Sequence, residues 1–346
     1  MPVLDRGGEN LKGLRQIQRS VLLSMTGGLT STPTLSMEVM LGIQSISDYI
    51  KSVGVRTGCR LKANGQWVSW KGLGFSRVPT HTDKIDEICN VISETLMPCD
   101  NKFSWLKERS YTVTLLSREK WDDVRPDKDD TASVKIFTDG SRQNGRTGCG
   151  FVVRESNVET RTCSLPLGKL CTVYGAELLA ILYATEAIRE IQPVKLVRIF
   201  SESLSALTAL NSSNTTSSIV WECYNALNDV KKTSFVELWW VSAHSNYEGN
   251  ERADELAKIA SLIDFCGLEP VVPISRTTVN TAIVDWASNK LAAQWKETSM
   301  CRQKKMLLPV ADTKVSKACL KRSKKSSRLL THLVTGHNLL NYHQSK

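Results

Sequence analysis

The spacing of hydrophobic positions changes near residue 134 and divides the chain into regions. Before that point, apolar residues recur at helical spacing. In the stretch 9–28 one helix face is apolar and another face carries Lys12, Arg15 and Arg19. Beyond residue 134, runs of β-branched and aromatic residues alternate with helical segments. The pattern therefore predicts a helical region followed by a region of mixed strands and helices.

The region 134–262 carries the strongest periodic pattern. It predicts five strands and four helices in the order β-β-β-α-β-α-α-β-α, with the longest helix from Tyr174 to Ile191. The stretch SRQNGRTG, residues 141–148, is expected to be the first turn. A hairpin-rich start followed by parallel crossovers predicts an α/β fold, a mixed five-stranded sheet with helices on its faces.

The flanking sequence predicts three further segments. Residues 1–117 are expected to be helical, and residues 118–133 are polar and acidic and read as a linker. Residues 263–346 form a basic carboxy-terminal region, expected to be partly helical or disordered. Its densest patch, KRSKKSSR at 321–328, has three interpretations: a phosphate-binding patch, a nuclear import signal or a solvated charge run.

Charge and cysteine content narrow the choice of partners and compartment. The net charge of +10 favours polyanions such as nucleic acid, and 41% apolar residues fit a globular protein. The ten cysteines form no C-x-x-C pair, so neither a zinc site nor a redox pair is expected. There is no charged-then-apolar leader and no run of about 18 apolar residues. We expect an intracellular protein, cytoplasmic or nuclear, with reduced thiols and no membrane contact.

Four acidic residues of region 134–262 lie at the ends of predicted strands or near the starts of predicted helices. Asp139 ends the first predicted strand, and Glu202 ends the fourth. Glu177 and Asp254 are expected in the first turns of the longest and the last helix. A single acid at a helix start is more often a partner of the helix dipole. The first and fourth strands can lie side by side, however, and then all four acids would meet at one edge of the sheet.

Clustered carboxylates repel one another and are costly to bury unless a cation lies among them. Magnesium is a hard ion that prefers carboxylate oxygens and retains waters for a phosphate substrate. Two such ions about 3.5–4 Å apart can activate a water and stabilise the leaving oxygen in phosphodiester cleavage. The acid pattern therefore indicates a metal-dependent phosphodiester reaction.

The same residues resemble a known family. FTDGS, YGAELLAI, IFSESLSAL and WVSAHSNYEGNERADELAK occur in the order found in ribonuclease H of type 1, and the resemblance covers about 130 residues. Residues 14–50 resemble the segment between reverse transcriptase and ribonuclease H in jockey-like non-LTR retrotransposon polyproteins. Residues 329–343 resemble the stretch just downstream of the ribonuclease in those polyproteins.

This resemblance implies endonucleolytic cleavage of the RNA strand of an RNA–DNA hybrid. The expected cofactor is Mg²⁺, with Mn²⁺ as an alternative, and no small-molecule cofactor is expected. The reverse transcriptase of the same element is a further expected partner. The resemblance assigns metal ligation to Asp139, Glu177, Glu202 and Asp254, proton transfer or product release to His244, and contact with the hybrid backbone to Ser141 and Asn144.

Two departures from the family pattern keep other functions open. Glu202 stands where the family normally has Asp, which moves the carboxylate outward by about 1 Å, and a shift of that size can cost about a hundredfold in rate. The loop around His244 reads SAHSN where the family usually has PGHSG. The alternatives are a non-catalytic nucleic-acid-binding protein, another nuclease or integrase on the same fold, and an inert remnant of an element.

Overall fold

The computed structural model of the chain forms two compact units. The sheet unit is Met97–Arg276, and the helical unit combines Met1–Leu96 with Thr277–Lys346. The segments predicted from the sequence have boundaries after residues 117, 133 and 262, and that division stays a prediction. The structure describes residues 8–67, 81–100, 104–106, 109–117, 120, 124, 134–190, 195–230, 234–242, 247–299, 302–308 and 313–335.

A six-stranded mixed sheet forms the centre of the sheet unit. Its strands are β2 (Tyr111–Thr114), β3 (Val134–Gln143), β4 (Arg146–Glu155), β5 (Val158–Gly168), β6 (Leu196–Ser201) and β8 (Phe235–Trp240). They lie in the order β2-β8-β6-β3-β4-β5; β3, β4 and β5 pair antiparallel, whereas β3, β6, β8 and β2 pair parallel. A separate antiparallel pair joins β1 (Ser104–Trp105) to β7 (Asn214–Thr215). The predicted α/β class with a mixed sheet is confirmed.

The sheet differs from the prediction in its edge and in its first turn. The sixth strand, β2, comes from the segment expected to be helical, and it pairs with β8 far along the chain. The eight-residue turn predicted at 141–148 is wrong. Strand β3 continues to Gln143, and only Asn144 and Gly145, with φ of 51° and 79°, make the turn. Two adjacent residues with positive φ give the tight hairpin connection that Asn-Gly favours.

Helices cover both faces of the sheet. They are α5 (Val173–Glu190), α6 (Leu204–Asn211), α7 (Ser218–Val230) and α8 (Glu248–Leu262). One face buries Ile136 and Val153 in a core with α5, α6 and α7. The opposite face buries Phe137 and Val152 against α8. Because alternate residues of a strand point to opposite faces, one pair of neighbouring strands supplies both cores.

The helical unit is assembled from both ends of the sequence. Its helices are α1 (Gly8–Thr26), α2 (Thr34–Leu41), α3 (Ile46–Ala63), α4 (His81–Cys89), α9 (Arg276–Glu297), α10 (Arg302–Leu307), α11 (Thr313–Leu320) and α12 (Lys324–Thr335), with a 3₁₀ turn at Ser93–Leu96. One core cluster joins Leu22 and Met37 to Cys319, and a second joins Val39 to Trp295. Leu22, Met37 and Val39 are thus buried together with carboxy-terminal residues, whereas Leu14, Ile17 and Val21 of α1 are exposed.

Two further sequence expectations can be compared with the described residues. Every cysteine whose state the structure describes is a free thiol. Among the helices of the described ranges, none combines the length and the apolar character needed to cross a membrane.

Candidate active site

Two of the predicted acids lie at the ends of neighbouring parallel strands. Strands β3 and β6 pair in register up to Thr138 and Ser201, and the next residues along the chain are Asp139 and Glu202. Asp139 is 7% exposed, and Glu202 is half-buried just beyond the end of β6. Since the carboxyl ends of parallel strands meet at one edge, the pairing brings the two side chains together, as the sequence predicted.

A close approach of α5 to β3 adds the third acid. Gly140 follows Asp139, and a Cβ atom at Gly140 would lie 2.7 Å from the backbone nitrogen of Glu177. Only glycine permits this approach without a shift of the helix. Glu177 is buried, and it is the fifth residue of α5 rather than a first-turn residue as expected. The helix dipole is therefore a weaker explanation for this acid than the sequence suggested.

Helix α8 carries the fourth acid across the opposite face of the sheet. A Cβ atom at Gly148 or Gly150 would lie 2.5–2.7 Å from atoms of α8, so α8 packs directly on the backbone of β4. Asp254 is the seventh residue of α8, again beyond the predicted first turn. Its carboxylate pairs with Lys258 Nζ at 2.5 Å.

Charge interactions link the four carboxylates through Asp139. Burial, followed by the negative charges of Asp254 and Glu202, raises the pKa of Asp139 to about 7. Burial, followed by the charges of Asp139 and Glu202, also raises the pKa of Glu177 well above its ordinary value. Each effect disfavours the charged carboxylate, so a positive charge placed among these acids would be stabilised.

The donor set fits a hard divalent cation. Glu177 Oε2 is buried without a hydrogen-bond partner in the described structure, and carboxylate oxygens are the ligands that Mg²⁺ and Mn²⁺ prefer. In the part of the chain that the structure describes, no group of three or more Asp, Glu, His or Cys side chains is already arranged to hold one metal ion. Lys258 engages Oδ2 of Asp254, so Oδ1 of the same carboxylate is the oxygen available to a cation while the ion pair lasts.

Three neighbours of the acids were not predicted from the sequence. The Asn250 side-chain amide donates a hydrogen bond to Glu202 Oε1, and Trp240 Nε1 donates to the Glu202 carbonyl oxygen at 3.0 Å. Lys258 is the third neighbour, through its ion pair with Asp254. Lys258 lies four residues after Asp254, and this helical spacing was the available signal for their ion pair; the contact of Asn250 depends on how α8 packs and has no local signal. The contact of Trp240 depends on strand pairing between β6 and β8 and has no local signal.

The remaining predicted site residues lie at different distances from the acids. Ser141 is two residues beyond Asp139 on β3, and therefore on the same face of the strand. Asn144 is in the β3–β4 turn, five residues and about 17 Å of extended strand from Asp139. Its positive φ gives it a role in the turn, and its contact with a hybrid stays a prediction. His244 lies outside the described residues.

Comparison with known proteins identifies the family of the sheet unit. The family model of RNase H matches residues 131–261. The ribonuclease H of Rhizobium johnstonii is 31% identical over 140 residues, which cover 36% of this chain and 89% of that protein. The chain therefore belongs to the ribonuclease H family through its sheet unit.

Viral relatives and solved structures give further points of comparison. The Pol polyprotein of equine infectious anemia virus (strain Wyoming) is 28% identical over 157 residues; the match covers 45% of this chain and 13% of the polyprotein. The chain thus spans a small part of the viral relatives' length. The crystal structure of RNase H1 from Halobacterium salinarum is 19% identical, covers 37% of this chain and 96% of its own, and superposes with a TM-score of 0.31.

Proposed function

We propose that this protein hydrolyses the RNA strand of RNA–DNA hybrids. The proposal is supported chiefly by the charge interactions among four carboxylates, from β3, α5, the end of β6 and α8, within a domain of the ribonuclease H family. The net charge of +10 suits a polyanionic substrate. Low sequence specificity is expected, because proteins read helices of this kind by groove shape and 2′-hydroxyl contacts.

In this proposal, the four acids hold two divalent cations, and the acids differ in how deeply they are buried. Asp139 and Glu177 supply buried oxygens, whereas Glu202 and Asp254 supply oxygens at the more open side. The cations, when bound, activate a water and stabilise the leaving oxygen. Ser141, on the same strand face as Asp139, contacts the hybrid backbone. His244 assists proton transfer or product release, as in the resembled family.

We further propose that the chain derives from a jockey-like non-LTR retrotransposon and that it acts with that element's reverse transcriptase. The flanking residues 14–50 and 329–343 support this origin by their resemblance to such polyproteins. The match to viral Pol polyproteins also supports an association of this domain with a polymerase.

Cleavage of a labelled RNA–DNA hybrid tests the proposed activity. The full chain is expected to cut the RNA strand with Mg²⁺ and to stop with EDTA. Asp139→Asn is expected to lower the rate by at least a hundredfold, because it removes a ligand charge from the centre of the cluster. Asp229→Asn makes the same chemical change at an exposed residue of α7 and should leave the rate unchanged. Equal rates in the wild type and Asp139→Asn would refute the assignment of the site.

A second candidate function, hybrid binding without cleavage, is favoured by the contacts of Glu202 and Asp254. The longer Glu202 side chain accepts a hydrogen bond from Asn250, and Asp254 forms an ion pair with Lys258. A protein of this kind would bind hybrids in a salt-dependent manner and leave them intact.

Cleavage by the wild type separates the two candidates, and the substitution Glu202→Asp tests whether the longer side chain limits the reaction. It shortens the side chain by one methylene and restores the ligand normally found in the family. We expect the cleavage rate to rise by ten- to a hundredfold, since a misplacement of about 1 Å in a catalytic site costs up to a hundredfold. Single-turnover cleavage rates at saturating Mg²⁺ would measure the change. A rate that is unchanged or lower would show that the added methylene does not limit the reaction.

A further inference from the structure

The helical unit contains a cavity of about 650 Å³ with an unusual lining. Lys12, Arg15 and Arg19 line it from α1, Lys51 lines it from α3 and Lys290 lines it from α9. The basic face of α1, evident from the sequence, is thus not a simple solvated surface. It faces two more cations supplied by helices that are distant in sequence.

Two acidic residues in the same cavity balance only part of this charge. Asp48 is 6% exposed, accepts a hydrogen bond from Ser45 Oγ at 2.7 Å and forms an ion pair with Lys290. Glu38 is 5% exposed, and burial, followed by the charge of Asp48, raises its pKa to about 7. With five cations and two acids, the lining keeps an excess of at least three positive charges near neutral pH.

The individual contacts distinguish structural cations from cations suited to a ligand. Arg19 is held in place by the Thr32 carbonyl at 3.0 Å and by Thr34 Oγ1 at 2.6 Å, which ties α1 to the turn before α2. Arg15 donates to Ser47 Oγ, a neutral hydroxyl, at 3.0 and 3.2 Å. This contact orients the guanidinium without neutralising its charge.

Lys51 provides the second sign that an anion belongs in the cavity. Burial lowers the pKa of the Lys51 ammonium, and the charge of Lys290 lowers it further. The charge of Asp48 offsets part of this lowering, and a further anion beside the two ammonium groups would stabilise both. Phosphate oxygens meet this requirement and can accept hydrogen bonds from lysine and arginine together.

The spread of the cations available to a ligand points to a strand rather than to a single phosphate. Lys12 and Arg15 are three residues apart on α1, which corresponds to about 4.5 Å along the helix, and Lys51 adds a third cation from α3. Each strand of a nucleic acid duplex carries one charge per about 3.4 Å of its axis, so Lys12 and Arg15 match neighbouring phosphates. Lys12 and Arg15 are exposed at the rim, where a strand can continue beyond the cavity.

We propose that this cavity binds the sugar–phosphate backbone of a nucleic acid strand. Lys12, Arg15 and Lys51 contact the phosphates, and Lys290 stays paired with Asp48 beside them. Arg19 fixes the wall of the cavity. The site belongs to the helical unit and does not depend on the carboxylates of the sheet unit or on cleavage.

Binding of a fluorescent single-stranded DNA 20-mer to the full chain in EDTA tests this proposal. The variant Lys12→Gln/Arg15→Gln/Lys51→Gln is expected to bind at least tenfold more weakly. For this variant, the slope of log affinity against log salt concentration should be shallower by about 2, because each lost phosphate contact reduces the slope by about 0.7. The control Arg60→Gln/Lys296→Gln/Lys317→Gln removes three exposed charges of the same unit outside the cavity lining and should change the affinity less than threefold. An equal loss in both variants, or in neither, would refute the site.

Acetylation of the wild-type protein provides a test without substitutions. Mass spectrometry is expected to show that the 20-mer protects Lys12 and Lys51 from acetylation at least fivefold, while Lys296 and Lys317 react as before. Inorganic phosphate at the same phosphate concentration should protect them less than twofold. Unprotected Lys12 and Lys51 would overturn the proposal, and equal protection by inorganic phosphate would overturn the assignment of a strand.

Discussion

At the scale of single residues, the contact between Asn250 and Glu202 shows how the site accommodates its unusual acid. Asn250 is 4% exposed and engages one Glu202 oxygen, Oε1. A carboxylate held through one oxygen still offers the other oxygen to a cation. Asn250 therefore acts, within the proposed function, as a positioning residue for the longer side chain.

Replacing this amide should weaken metal binding. We expect Asn250→Ala to raise the Mg²⁺ concentration for half-maximal cleavage by ten- to a hundredfold, the usual effect of losing a partner that orients a metal ligand. Asn225→Ala, at an exposed position of α7, is the matched control. Calorimetric titration of Mn²⁺ provides a readout that does not rely on turnover. A purely structural role would lower stability and leave both metal measurements unchanged.

Glu38 makes the helical unit sensitive to pH. Its pKa is raised from 4.5 to about 7 in the folded protein, so the folded state binds a proton more tightly than the unfolded state. Stability is therefore greatest below pH 4.5 as far as this group is concerned, falls as the pH rises from 4.5 to 7, and is constant above that range. Hydrogen exchange of the α2 amides at pH 5 and pH 8 should show weaker protection at pH 8.

The variant Glu38→Gln isolates this effect. It cannot ionise, so the difference in α2 protection between the two pH values should shrink, after correction for the intrinsic exchange rates. Asp285→Asn, on α9 and outside the cavity lining, should leave the wild-type difference intact. A Glu38→Gln variant that loses as much protection as the wild type would assign the pH dependence to another group.

At the scale of elements, glycines in β4 set the distance between the sheet and α8. A Cβ atom at Gly150 would lie 2.7 Å from the Ala257 backbone nitrogen and from Leu256 Cβ. We expect Gly150→Ala to push α8 away, to destabilise the sheet unit by about 1–3 kcal/mol and to lower cleavage by moving Asp254. Hydrogen exchange of the α8 amides and cleavage rates would measure both effects.

Gly13 provides a control of opposite sign. A Cβ atom there meets nothing within 4 Å, and Gly13 lies inside α1. Gly13→Ala is therefore expected to stabilise α1 by up to about 1 kcal/mol. If Gly150→Ala proves as harmless as Gly13→Ala, the close packing of α8 on β4 does not position Asp254.

The elements also show what the sequence could and could not predict. The adjacency of β3 and β6 followed from the connection order, and it brought Asp139 and Glu202 together as expected. The edge strand β2 was not predicted, because it is only four residues long and its partner β8 lies far along the chain. The contact between Asn250 and Glu202 was not predicted for a similar reason, since it depends on how α8 docks and not on a local pattern.

At the scale of the whole molecule, the helical unit should depend on residues after Arg276. Truncation there removes Trp295 and Cys319, which complete the two cores around Val39 and Leu22. We expect helices α1 to α3 to lose most of their hydrogen-exchange protection. The sheet unit keeps its own core and all four acids, so hybrid cleavage should persist within about threefold. Retained protection of α1 to α3 in the truncated chain would contradict this dependence.

The interleaved order of the two units also has a consequence for synthesis on the ribosome. The amino-terminal helices emerge first, but their packing partners follow only after Met97–Arg276 has been made. At about 5–20 residues per second, that interval lasts roughly 10–40 s. During this time Leu22 and Met37 lack the carboxy-terminal residues that complete their core, whereas the sheet unit can already fold. The helices α1 to α3 are thus made before the sheet unit but complete their packing after it, and we expect chaperones to bind them in the interval.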